Sequence, residues 1–342
     1  MRVAAFALVV TSLLTACTAE APRTPDPPAL VVAGRQVDFV SELTAGFVQG
    51  VQRVPGMTHV VTGPDIVDNA SELRAIQGFL NGSRGSITLF TFAPELFADS
   101  LSRAAAAGTP VIALHSVPAP GSGVSLYIGN DNLALGTRLG EAVANRLPAD
   151  AEGVVIIGSP HPGITVLDDR ATGVRAAVQR LRPNVTVMGP FDTKQPPTAN
   201  MQAWRTLQEA NPGALAFIGV GGQDAHNLAL LRDAGTTRVD GGFGTDPYAL
   251  ELTAAGAMAL VSTEPYLQGL LAGAIQARCA KDGSPLPAGW LPAPGIVVDE
   301  SNAAAVLARQ RTPEARQAWF APGADAILAE LDDRLRPLDD AR

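Results

Sequence analysis

The sequence predicts an α/β protein built from two doubly wound parallel-sheet lobes with a ligand cleft between them. Three observations carry this. Short β-branched runs alternate with helical stretches along almost the whole chain. That rhythm is the signature of strand–helix–strand units. The strands are continuously apolar, which means burial on both faces, as in parallel sheets covered by helices. The chain of 342 residues exceeds the size at which one core stops growing, so two lobes are expected.

The elements follow in order. Strands are expected at 30–33, 57–62, 87–90, 110–114 and 125–128, with helices at 39–51, 68–80, 94–107 and 131–147. The rhythm then repeats. Strands fall at 154–157, 185–188, 214–218, 239–243 and 257–261, and helices at 167–181, 198–210, 224–234, 248–255 and 266–281. Beyond Ser301, amphipathic stretches occupy 313–319 and 325–335.

Before the first strand lies a leader. Arg2 precedes an apolar run from Val3 to Leu14, closed by Thr15-Ala16-Cys17. Charge, then a short apolar run, then small residues is the pattern of an export signal. The run is too short to span a bilayer, which takes about 20 apolar residues. A small residue directly before Cys resembles a bacterial lipobox. The resemblance implies cleavage before Cys17 and lipidation of its thiol and new amine. Residues 1–16 then form the signal peptide and 17–28 a Pro-rich flexible linker. The protein is expected at the outer face of the cell membrane, lipid-anchored.

With Cys17 lipidated, Cys279 has no disulfide partner and reads as a buried structural thiol. The formal charge of −8, one unit more negative once Arg2 is removed, argues against nucleic-acid binding. No phosphate loop, metal cluster or Gly-x-Ser-x-Gly elbow is present, so no cofactor, metal or hydrolytic nucleophile is expected. Gly219 to Gly222 reads as a permissive strand-to-helix turn. Asp168 and Asp169 sit in the first turn of a helix, where acids suit the dipole.

In doubly wound sheets, ligands bind beyond the carboxyl ends of the strands. That rule selects Arg35, Gln36, Phe39, His115, Ser116, Asn130, Asp131, Phe191, Asp192, Gln223, Asp224, Asp246 and Glu264. Arg170, one turn into its helix, offers a fork of donors suited to hydroxyls or a carboxylate.

Five segments then carry a family resemblance. They are Gly-Thr-Pro-Val-Ile-Ala-Leu (108–114), Ile-Gly-Asn-Asp-Asn-x-x-x-Gly (128–136), Asp-Arg-x-x-Gly-Val (169–174), Phe-Ile-Gly-Val-Gly-Gly-Gln-Asp (217–224) and Gly-Gly-Phe-Gly-Thr-Asp-Pro (241–247). Residues 29–300 resemble the sugar-binding proteins of bacterial ABC importers, the group with the ribose- and galactose-binding proteins. The resemblance implies two lobes joined by three crossovers, a type I periplasmic binding fold. The first lobe would hold 29–131 and 264–291, the second 132–263 and 292–342, with the tail after Ser301 packed on the second lobe. It also implies a monomeric, non-enzymatic receptor that traps a monosaccharide or polyol by lobe closure and hands it to ABC permease subunits. A sensory receptor for a sugar or sugar acid on the same fold is the alternative. A DNA-binding regulator of this fold would begin with a helix-turn-helix, and this chain begins with an export signal.

Carried over residue by residue, the ligand contacts are Gln36, Phe39, His115, Asn130, Arg170, Phe191, Gln223, Asp246 and Glu264. Phe39 and Phe191 would stack on the sugar, and Arg170 would fasten its ring oxygen and hydroxyls. Glu264, or Thr263 beside it, falls at the hinge. The chain departs from the family at His115-Ser116, where Asp-Arg is usual.

Overall fold

The computed structural model describes residues 26–82, 85–233 and 235–341. The signal peptide, Cys17 and the linker as far as residue 25 lie outside the described residues. Among the described residues no helix is long and apolar enough to cross a membrane.

The first lobe runs β1 (Ala29–Val32), α1 (Asp38–Val51), β2 (Val60–Thr62), α2 (Asn69–Gly82), β3 (Ile87–Phe90), α3 (Pro94–Ala106), β4 (Val111–Leu114) and β5 (Leu126–Gly129). After α4 (Asn132–Ala144), the second lobe runs β6 (Gly153–Ser159), α5 (Thr165–Leu181), β7 (Val185–Asp192), α6 (Pro197–Ala210), β8 (Ala216–Gly219), α7 (Gly222–Leu230), β9 (Asp240–Phe243), α8 (Pro247–Ala254) and β10 (Met258–Ser262). Helix α9 (Pro265–Asp282) then returns the chain to the first lobe.

Two short strands follow that the sequence pattern does not announce. β11 (Gly289–Pro292) completes the first sheet beside β5, and β12 (Ile296–Val298) completes the second beside β10. The sheet orders are β11-β5-β4-β3-β1-β2 and β12-β10-β9-β8-β6-β7, each parallel apart from the β10–β12 pair. Both are edge strands, and β11 ends on Pro292, a residue that edges tolerate. Strands β1, β3, β4 and β5 are buried throughout, as their unbroken apolar character requires.

The chain crosses between lobes at 130–131, 263–264 and 293–295, between β5 and α4, β10 and α9, and β11 and β12. Glycines seat the two helices that begin after the first two crossings. A Cβ on Gly269 of α9 would fall against the Leu43 carbonyl of α1. A Cβ on Gly136 of α4 would fall against the Arg170 carbonyl of α5. The second approach brings the start of α4 beside Arg170.

The tail divides between the lobes. Helix α10 (Ala303–Arg309) packs on α8, and its Ala303 and Val306 join the second lobe's core. Helix α11 (Pro313–Ala329) packs on α9, and α12 (Leu331–Arg334) on β11. Phe320, Ala324, Ile327 and Leu331 belong to the first lobe's core. The sequence reading puts all of 292–342 on the second lobe. The structure corrects it: Pro292 pairs with Gly129 in the first sheet, and the apolar stripe of α11 covers α9.

Candidate functional site

The carboxyl ends of the strands of both sheets open onto one cavity of about 260 Å³. It is lined from the first lobe by Phe39, Phe90, Phe92 and His115, and from the second by Arg170, Gln223, Phe243 and Asp246. Ser262 and Thr263, at the second crossing, also line it. Its size lies just below the usual range of ligand pockets, about 300–1,000 Å³.

Apolar rings dominate the first-lobe wall. Phe39 lies edge-on to Phe90 at 5.3 Å and to Phe92 at 6.2 Å. It also lies 5.0 Å from the His115 ring. Phe92 approaches His161 of the second lobe at 6.3 Å, so the lobes meet across the cleft.

Arg170 is 4% exposed. Its Nε donates to Asn132 Oδ1 at 2.8 Å and its Nη1 to the Val220 carbonyl at 3.1 Å. Its Nη2 is buried and has no hydrogen-bond partner among the described residues. The guanidinium lies 4.5 Å over the Phe243 ring. Burial lowers its pKa to about 10, against the opposing influence of Tyr127 and Asp169.

His115 adopts φ 69°, an uncommon left-handed conformation at the end of β4. Burial, then the charge of Arg170, push its pKa down to about 3, so the ring is neutral. Its Nδ1 lies 3.2 Å from Gln268 Oε1, an oxygen that only accepts. The proton is therefore on Nδ1, and Nε2 is an acceptor. Gln268 is held in turn, with its Nε2 donating to Asn130 Oδ1 at 3.0 Å and the Thr263 carbonyl at 2.7 Å. Asn130 Nδ2 donates to the carbonyls of Thr263 and Ala293. One residue thus binds all three crossovers together.

On the second lobe, Asp246 caps α8 by accepting from Ala249 N–H at 3.0 Å, and its other oxygen lies 3.0 Å from His226 Nδ1. Asp224 is fully buried and accepts from Thr193, Asn200, Trp204 and the Gly221 N–H. Burial raises its pKa, and those donors oppose the shift. It braces the turn into α7, whose second residue is Gln223.

Of the nine ligand contacts carried over from the family, Phe39, His115, Arg170, Gln223 and Asp246 line the cavity, as does Ser116 from the strand-end set. The other four do not. Gln36 is exposed in the loop before α1. Phe191 lies inside β7 and packs on the second lobe's core. Asn130 is the crossover residue just described. Glu264 is buried in a pair with Arg309 and cannot reach a ligand without breaking it.

Residues that the sequence reading missed take their place. Phe90, Phe92 and Phe243 sit at or just past strand ends, where the strand-end rule would have found them. Glu42, whose carboxyl is raised by burial ahead of the lowering effect of Arg316 and Arg309, lies a turn into α1. Gln310 comes from the tail and donates to the Thr245 carbonyl at 2.8 Å. No sequence signal points to it.

Residues 29–283 match the family described as periplasmic binding protein domain. No curated protein matches. Among solved structures, a glucose-galactose binding protein from Geobacillus stearothermophilus is 19% identical, with a TM-score of 0.70, over 82% of this chain and 99% of that one. An ABC transporter solute binding protein from Burkholderia graminis C4D1M, in complex with D-arabinose, is 18% identical with a TM-score of 0.71, over 81% and 96%. Another from Agrobacterium vitis, with bound D-fucose, is 17% identical with a TM-score of 0.72, over 85% and 98%. At these identities the likeness is one of fold.

Proposed function

The chain belongs to the periplasmic binding protein family, and on that premise we propose that it is an extracytoplasmic solute receptor that traps a small carbohydrate-sized molecule between its lobes. The observation that carries this is the cavity between the two strand-end edges, walled by rings and by a guanidinium with one donor unpartnered among the described residues. Rings take the C–H faces of a sugar-like ligand, and Arg170 Nη2 takes an oxygen. The lobes close about the three crossovers, water leaves, and the closed form is presented to an ABC permease. It is a binding protein rather than an enzyme, and works as a monomer. Cys17 carries the lipid that tethers it outside the cytoplasmic membrane.

A thermal-shift screen against pentoses, hexoses, polyols and sugar acids tests the reading. A ligand that binds only the folded state raises the melting temperature by mass action. A shift with one member, smaller in Phe39→Ala, is the expected result. No shift across the panel counts against it.

A further inference from the structure

We infer that the solute carries a carboxylate, seated on Arg170, and keeps an apolar face for the phenylalanines of the wall. This rests on the cavity being the solute site.

A guanidinium buried to 4% exposure calls for compensating negative charge, because an unpaired buried ion is costly. Among the described residues Arg170 has no ion-pair partner. Its two protein contacts are a neutral amide oxygen and a carbonyl. His115, which lines the same cavity and feels its charge, is neutral. Asp169, the neighbouring acid whose charge is felt at Arg170, makes no ion pair with it, and the three carboxylates in the wall do not serve it. Asp246 is engaged by His226 and its own helix. Glu42 lies toward Arg316 and Arg309, and Asp38 begins α1.

The balance of donors and acceptors points the same way. A neutral polyhydroxylated ligand presents one O–H donor per hydroxyl and needs acceptors in the wall. Here the acidic acceptors are committed and the acceptors that remain, such as His115 Nε2, are neutral, while a charged donor, Arg170 Nη2, is buried without a partner among the described residues. A carboxylate supplies acceptors only, and a charge-assisted bond to guanidinium is among the stronger ones. The rings of Phe39, Phe90, Phe92 and Phe243, with Ile164 and Leu167, leave much of the wall unsuited to hydroxyls.

The test is calorimetric titration of the purified protein with matched pairs, D-glucuronate against D-glucose and D-arabinonate against D-arabinose, with mandelate as a hydroxyl-poor acid. At least one acid should bind tenfold or more tightly than the best neutral sugar. Arg170→Lys should keep that preference, and Arg170→Gln should abolish it while circular dichroism shows both variants folded. A neutral sugar that binds as well as its acid overturns the inference and leaves the receptor reading standing. Binding by neither class overturns both. Should Arg170→Gln fail to fold, the acid-to-neutral ratio of the unaltered protein and of Arg170→Lys decides alone.

Discussion

Arg309 grips both carboxylate oxygens of Glu264, at 2.7 and 2.8 Å, with both side chains 4% exposed. Glu264 stands at the second crossover with φ 54°. Arg309 ends α10, on the second lobe, and lies over the rings of Trp319 and Phe320 from α11, on the first. The tail therefore fastens one crossover from both sides. Arg309→Ala strands a buried carboxylate and should cost about 3–5 kcal/mol in urea unfolding. Replacing both partners, by Glu264→Gln with Arg309→Met, should cost much less, because no charge is left unpaired.

Phe39→Ala should weaken ligand binding by about 0.5–1.5 kcal/mol, the contribution of a ring contact beyond its area. Phe191→Ala should leave affinity unchanged and lower the melting temperature, because Phe191 packs on the second lobe's core. Titration and melting of the two variants separate cavity from core.

His115 sets an acid limit. Its folded pKa, about 3, lies below its ordinary 6.5. The unfolded chain takes up a proton as pH falls through 6.5 and the folded protein does not. Stability should therefore decline from about pH 6.5 toward 3. His115→Gln should flatten that decline in melting curves taken at pH 7, 6 and 5.

Glu72 acts in the opposite sense. It is fully buried in α2, and burial, opposed only by the Thr91 hydroxyl, raises its pKa from 4.5 to about 7. The unfolded chain loses its proton above pH 4.5 and the folded one only near 7, so stability falls across that interval as pH rises. Glu72→Gln should melt above the unaltered protein at pH 8, with the gap shrinking toward pH 4.5.

Phe320 joins the tail to the first lobe, stacked 5.0 Å from Tyr266. Phe320→Ala should cost about 3–5 kcal/mol, the loss of a buried ring plus its cavity. An effect near zero would mean that α11 does not cover the first lobe in solution.

The architecture was legible because burial on both faces writes itself into Val31, Ile87 or Ile218 and their neighbours as unbroken apolar runs. The site was legible only where a side chain's own element ends at the cleft, as for Phe39, His115 and Arg170. Position after a strand does not say which way a side chain turns. Asn130 and Glu264 follow strands yet turn into the crossovers. Phe191 misled because β7 continues through Asp192, so the residue obeys strand alternation rather than loop placement. Gln310 reaches the cavity by a return of the tail, a long-range event without a local pattern.

Asn130 and Gln268 stitch the three connections at Asn130, Thr263 and Ala293 into one knot. Three separate strings would let the lobes shear, twist and yawn independently. A knotted bundle resists those independent motions and acts as an axle. Because His115 is bonded to the same knot, whatever touches that imidazole also bears on the axle, and ligand contact and lobe rotation become parts of one mechanical event.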